Sequence, residues 1–112
     1  MKKSIENIVN HSEVSEKAIE AYLNKMAKEH GTLCLKYSSH NTTGYPDRIL
    51  CLPYSGVAWI EIKSKGKKPT KLQTVRHEEL RKIGHDVFVV DSKESVRALF
   101  ERLFNETIIE KL

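Results

Sequence analysis

The chain is poor in several groups that would each point to a particular chemistry. It holds two cysteines, with no Cys-x-x-Cys and no clustered Cys/His spacing, so a zinc site is not indicated. Cys34 and Cys51 lie in apolar, strand-like runs and read as reduced core thiols. No apolar run approaches the roughly 20 residues that a bilayer span needs. The opening Met-Lys-Lys-Ser-Ile-Glu has no apolar segment after its lysines, unlike a secretory signal. The expectation is an intracellular, cytoplasmic protein with no membrane partner. A Gly-rich phosphate loop is absent, which argues against an enzyme of small phosphorylated molecules. Internal repeats and low-complexity segments are absent too.

What is present is charge. Charged residues make up 30% of the chain, the net charge is +4 and the pI is near 9.1. Such a balance is compatible with a polyanionic partner. With 39% apolar residues and a length of 112, one domain can bury roughly two-thirds of its unfolded surface. A single domain over residues 1–112 is expected, with residues 1–9 as a flexible arm.

The most informative stretch runs from Gly44 to Lys63. Two apolar runs, Ile49–Leu52 and Val57–Ile60, flank a turn containing Pro53 and Gly56, which is a β-hairpin signal. Asp47 opens the first run; Glu61 and Lys63 close the second. Strand side chains alternate faces, so Glu61 and Lys63 share one side with Val57 and Trp59. Register decides whether Asp47 joins them. A three-residue loop, Pro53-Tyr54-Ser55, pairs Leu52 with Gly56 and sets Asp47 opposite Glu61. A four-residue loop sets it opposite Ile62, facing away. The first arrangement is expected: two carboxylates and an ammonium converging at one strand end. Two carboxylates about 4 Å apart repel by roughly 4 kcal/mol at an effective dielectric near 20, so they share a proton or hold a cation. Hard oxygen donors suit Mg²⁺ or Mn²⁺, and with a lysine alongside they are the parts for metal-assisted phosphodiester hydrolysis.

The remaining elements follow in order. Val14, Ala18, Ile19, Tyr22, Leu23, Met26 and Ala27 recur at helical spacing up to Gly31, with Asn10 and Glu13 as a capping box and Ser12 as a competing cap. Thr32–Tyr37 reads as a strand. Ser38–Gly44 is a polar loop leading into Asp47; its His40 and Asn41 can meet phosphates or simply be solvated. After Lys63, five lysines fall within nine residues, counting Lys63 itself. Gly66 and Pro69 mark a loop there, and Lys65, Lys67 and Lys68 suit phosphate contact. Thr70 and Gln73 form a capping box for a helix with Leu72, Val75, Leu80 and Ile83 on its apolar side. Arg76 and His77 lie on its polar side, touching DNA or merely exposed. His85–Asp91 reads as a strand buried on both faces. A last helix follows, capped by Asp91 and Glu94, with Val96, Leu99, Phe100 and Leu103 inward. Arg48, opposite in direction to Asp47, reads as an edge or interface charge.

Pro46-Asp47, thirteen intervening residues and Glu61-Ile62-Lys63 resemble the PD-(D/E)XK nuclease signature. The wider pattern, Gly44-Tyr45-Pro46-Asp47 through Glu61-Ile62-Lys63 to Gln73, resembles the VRR-NUC branch, the virus-type replication-repair nucleases. The resemblance implies an α/β fold: a restriction-endonuclease-like αβββαβ core with a mixed central sheet flanked by helices, here with an added C-terminal helix. It implies a Mg²⁺- or Mn²⁺-dependent DNA endonuclease of virus or mobile-element type, selective for DNA structure as Holliday-junction resolvases are, and acting as a homodimer on branched or duplex DNA. Asp47, Glu61 and the Ile62 carbonyl would hold the metal, and Lys63 would stabilise the phosphoryl charge or orient the water. Glu20 would face the site from the first helix, with Glu16 the weaker substitute. Gln73 would approach it from the second helix, although its capping role already occupies its amide. The adjacent Ile108 and Ile109 suggest a dimer contact. The alternative function is a non-catalytic nucleic-acid-binding domain of the same fold.

Overall fold

A computed structural model describes residues 15–111, with side chains except those of residues 54 and 106–111. Helix α1 (Glu16–Glu29) is followed by β1 (Leu33–Lys36), β2 (Arg48–Cys51), a 3₁₀ turn (Pro53–Ser55) and β3 (Val57–Ile62). Then come α2 (Lys71–Lys82), β4 (Asp86–Val90) and α3 (Lys93–Lys111). The four strands lie in the order β1-β2-β3-β4. The first two pairings are antiparallel and β3–β4 is parallel. This is the expected mixed sheet, with a helical crossover supplying the parallel pair. Among the described residues no helix is long and apolar enough to cross a membrane.

The hairpin register follows from its turn. The Leu52 N–H donates to the Gly56 carbonyl at 2.8 Å, closing a three-residue loop. Cys51 then pairs with Val57 and Arg48 with Ile60, so one further step sets Asp47 opposite Glu61.

Alternation divides the sheet into unlike faces. Leu50, Ala58, Ile60, Ile62 and Val90 point to one side and pack with Ile19, Leu23 and Ala27 of α1 and Val96, Leu99, Phe100 and Leu103 of α3. This is the hydrophobic core. Ser15 caps α1 by accepting from the Ala18 N–H at 3.1 Å; the expected caps Asn10, Ser12 and Glu13, with Val14, lie outside the described residues. Ser92 and Ser95 cap α3 reciprocally, in place of the expected Asp91. The side chains of Ile108 and Ile109, on which the expected dimer contact rests, also lie outside those described.

The second face carries Tyr37, Asp47, Trp59 and Glu61 and receives α2. Two expectations hold only in part on this side. Of the expected stripe Leu72, Val75, Leu80 and Ile83, Leu80 is inward, but Leu72, Val75 and Ile83 are 43%, 47% and 74% exposed, and the second buried residue of α2 is His77. The physical reason is that α2 lies over the carboxylate row rather than the apolar core. β4, expected to be buried on both faces, is covered in part on each: Val90 is buried on the core face and Val87 on the α2 face, but it is an edge strand and Val89 is exposed.

The candidate active site

Each carboxylate is placed by backbone structure. Pro46 is fully buried and fixes the entry to β2. The Asp47 carbonyl accepts from the Tyr37 N–H at 2.8 Å, extending the β1–β2 ladder by one rung. Its side-chain Oδ2 accepts from the Ile62 N–H at 3.0 Å, so the carboxylate reaches across the hairpin towards the strand that carries Glu61. Glu61 is only 1% exposed, and its carboxyl contacts that of Asp47. The expected meeting of the two acids on one surface is therefore what the structure contains.

The electrostatics fit a site short of positive charge. Burial, then the contact with Asp47 and its negative charge, push the Glu61 carboxyl up to about 8. Lys63 opposes that rise and Glu16 adds to it. Among the described residues no three His, Cys, Asp or Glu side chains cluster as a metal cage. A pair of acids with few further protein donors is the donor set that Mg²⁺ uses when it keeps several waters and binds substrate phosphate. The residues present fit such an ion.

One member of the site was assigned to the helix's polar side by sequence. His77 is 2% exposed, not free in solvent, and its Nε2 lies 3.1 Å from Glu61 Oε1. Burial, then the positive charge of Arg81, lowers its basicity, and its Nε2 shares a hydrogen bond with the Glu61 carboxyl. A usable signal existed: Gln73, His77 and Leu80 share one helix face at i, i+4 and i+7.

Other expected residues are placed less simply. Glu20 does not turn to the acids. Its Oε1 pairs with the Arg48 guanidinium at 2.7 Å, on the core side of the sheet. Arg48, expected at an edge, is buried there at 8% exposure, with its Nε unpartnered. Glu16, one turn earlier, is the α1 glutamate whose charge reaches Glu61. Gln73 completes the capping box: its Oε1 accepts from the Thr70 N–H at 2.8 Å, and its own N–H donates to Thr70 Oγ1 at 3.2 Å.

Arg76 is engaged in the structure rather than free for DNA. It donates to the Thr43 carbonyl at 3.0 Å and to Glu79 at 2.9 Å, and its guanidinium lies over the Tyr45 ring. Tyr45 in turn donates to Glu79 at 3.0 Å. Gly44, at φ +97°, has no room for a Cβ, which would meet Leu72 Cγ at 2.9 Å and Arg76 Cγ at 3.0 Å. The Gly-Tyr lead into Pro46-Asp47 is thus the seat of the loop on α2.

Lys65, Lys67 and Lys68 are exposed on the loop after β3, and His40 is exposed on the loop before β2. Cys34 and Cys51 are free and half-buried. They point to opposite sheet faces, and burial pushes the Cys34 thiol up, away from reactivity.

This topology, with two hairpin acids and a lysine at one strand end, defines a restriction-endonuclease-like α/β protein of the PD-(D/E)XK type. Comparison with known proteins narrows the class. No family model matches the sequence. A protein of Acyrthosiphon pisum secondary endosymbiont phage 1, named "Putative nuclease p44", is 35% identical over 81 residues, covering 72% of this chain and 87% of that protein. A solved structure titled "VRR_NUC domain" superposes with a TM-score of 0.74 at 33% identity, over 77% of this chain and 94% of its own. A second, titled "VRR_NUC domain protein", is alike in fold, with a TM-score of 0.64 at 20% identity over 79% and 86% of the two chains. The chain belongs to the VRR-NUC family.

Proposed function

We propose that this protein is a nuclease that hydrolyses DNA phosphodiester bonds internally and depends on Mg²⁺ or Mn²⁺. The observation that carries the reading is the contact between the Asp47 and Glu61 carboxyls, with Lys63 near enough to Glu61 to counter its charge. Asp47, Glu61 and the Ile62 carbonyl would hold the ion. When bound, it supplies positive charge at the scissile phosphate and at the departing oxygen.

The protein's own groups do the rest. The Ile62 N–H fixes one oxygen of Asp47 and leaves the other for the shared site. The Lys63 ammonium sits close enough to Glu61 to counter its charge, and there it orients the attacking water or stabilises charge building on the phosphoryl oxygens. Glu16, rather than Glu20, is the α1 carboxylate able to hold a water beside the acids. Lys65, Lys67, Lys68 and His40 contact backbone phosphates, which positions DNA without reading sequence. Gln73 serves α2 first and meets the site through its remaining amide donors. Selectivity for branched DNA, in the manner of Holliday-junction resolvases, and action as a homodimer complete the proposal. A symmetric pair would place one site on each of two strands. The proposed setting is the cytoplasm.

The test is cleavage of duplex, flap and four-way-junction DNA with Mg²⁺, Mn²⁺ or EDTA, beside Lys63→Ala. Cutting that requires the metal and is lost in Lys63→Ala supports the reading. Metal-dependent cutting that Lys63→Ala leaves intact places the chemistry elsewhere. Binding without cutting under any metal makes the domain a nucleic-acid-binding module.

A further inference from the structure

His77 is a buried polar side chain that the proposed reaction does not itself require. A helix lying on a sheet can fill such a position with leucine, as α2 does one turn later at Leu80. A histidine buried to 2% exposure must recover lost solvation through a hydrogen bond, and Glu61 supplies it at 3.1 Å. Glutamate has three side-chain torsions, and the ordering of each one opposes ion binding. Asp47 is tied by the Ile62 N–H; Glu61 needs an equivalent tie, and His77 is the group in contact with it.

We infer that His77 is a positioning residue, holding Oε1 of Glu61 so that the carboxylate is oriented for a divalent ion shared with Asp47. The placement is built into the fold. Arg76, next to His77, is joined to Thr43, Glu79 and the Tyr45 ring, so α2 is tied to the loop that delivers Asp47. The same ties seat His77 relative to the Asp47 side of the site. This inference rests on the metal-dependent reading proposed above, and its test separates the two.

The measurement is calorimetric titration of Mn²⁺ into the full chain without DNA, for the wild type, Asp47→Asn, His77→Leu and His77→Gln. Groups that orient a metal-binding carboxylate typically contribute 10–100-fold in affinity. His77→Leu should weaken Mn²⁺ binding by about that factor. His77→Gln, whose amide nitrogen lies near the place of Nε2, should recover most of it. In cleavage assays the Mn²⁺ concentration for half-maximal rate should rise in His77→Leu far more than the rate at saturating Mn²⁺ falls. Equal Mn²⁺ affinity in His77→Leu and the wild type, with Asp47→Asn deficient, overturns the role of His77 and leaves the metal site standing. A wild type that binds Mn²⁺ no better than Asp47→Asn overturns both. If His77→Leu does not fold, His77→Gln against His77→Asn decides, since asparagine puts its donor near Nδ1: equal affinities overturn the inference, and tighter binding by His77→Gln supports it.

Discussion

Asp47 and Ile62 are tied across the hairpin, the side-chain Oδ2 of one accepting from the backbone N–H of the other at 3.0 Å. The aspartate therefore acts as a rung of the sheet, and its position is only as good as the register of the turn at Pro53–Ser55. Inserting one glycine between Ser55 and Gly56 would shift that register by one residue and turn Asp47 to the core side. The expected outcome is a chain that no longer binds Mn²⁺ or cuts DNA and that melts below the wild type, because the same slip carries Leu50 out of the core. An insertion variant that still cuts would show that the register does not place this acid.

Glu61 sets the pH dependence of the metal-free protein. Its carboxyl is pushed up to about 8 in the folded chain, against 4.5 as the ordinary value. Below the lower value both states hold the proton and the folded state carries no penalty. As pH rises towards and through the upper value, the unfolded chain releases the proton first and folding stability falls. Melting temperature in EDTA should therefore decline from about pH 5 to about pH 9, and the gain from added Mn²⁺ should grow over the same range, because the ion takes the place of the proton. Glu61→Gln should flatten both trends. Thermal melts across pH, with and without the ion, check the sign; a metal-free melting temperature that rises over that range contradicts it.

Glu20 and Glu16 separate a structural from a functional glutamate. Removing the partner of a buried arginine costs about 3–5 kcal/mol when both groups are buried. Glu20 is more than one-third exposed, so about 2 kcal/mol is the better expectation for Glu20→Gln after allowance for solvent screening. Its Mn²⁺ affinity should match the wild type below the melting transition. Glu16→Gln should do the opposite, leaving the melting temperature nearly unchanged and slowing cleavage. Chemical denaturation and initial rates on the two variants would expose a reversed assignment.

The lysine loop should act on all DNA alike. Replacing Lys65, Lys67 and Lys68 together by alanine removes up to three phosphate contacts, each worth about 0.9 in the slope of log affinity against log salt for duplex DNA. Binding to unrelated duplexes should weaken by a similar factor and the slope should fall by about 2–3. A slope identical to the wild type would make the loop a solvated surface.

How far the sequence carried depends on which forces set each element. The hairpin was legible because Pro53 and Gly56 mark a short turn and the alternation of Val57, Trp59 and Glu61 admits one register once that turn is chosen. The Thr70–Gln73 capping box was legible because both of its hydrogen bonds are local. The inward face of α2 was not. Apolar spacing assumes a hydrophobic surface beneath the helix, whereas α2 rests on carboxylates, so His77 is buried while Val75 faces solvent. The choice between Glu16 and Glu20 was also hidden. They lie one turn apart on one helix, and only the packing of α1 against β2 sends Glu20 to Arg48. Arg48 itself looked like an edge charge because nothing local marks the strand end above it as covered.

The most direct measurement is anomalous diffraction from crystals grown with Mn²⁺. Anomalous density at the carboxyls of Asp47 and Glu61, the residues that with the Ile62 carbonyl would hold the ion, is the result predicted here. A structure at saturating Mn²⁺ with the two carboxyls still in mutual contact, and the ion bound elsewhere or nowhere, would contradict the account.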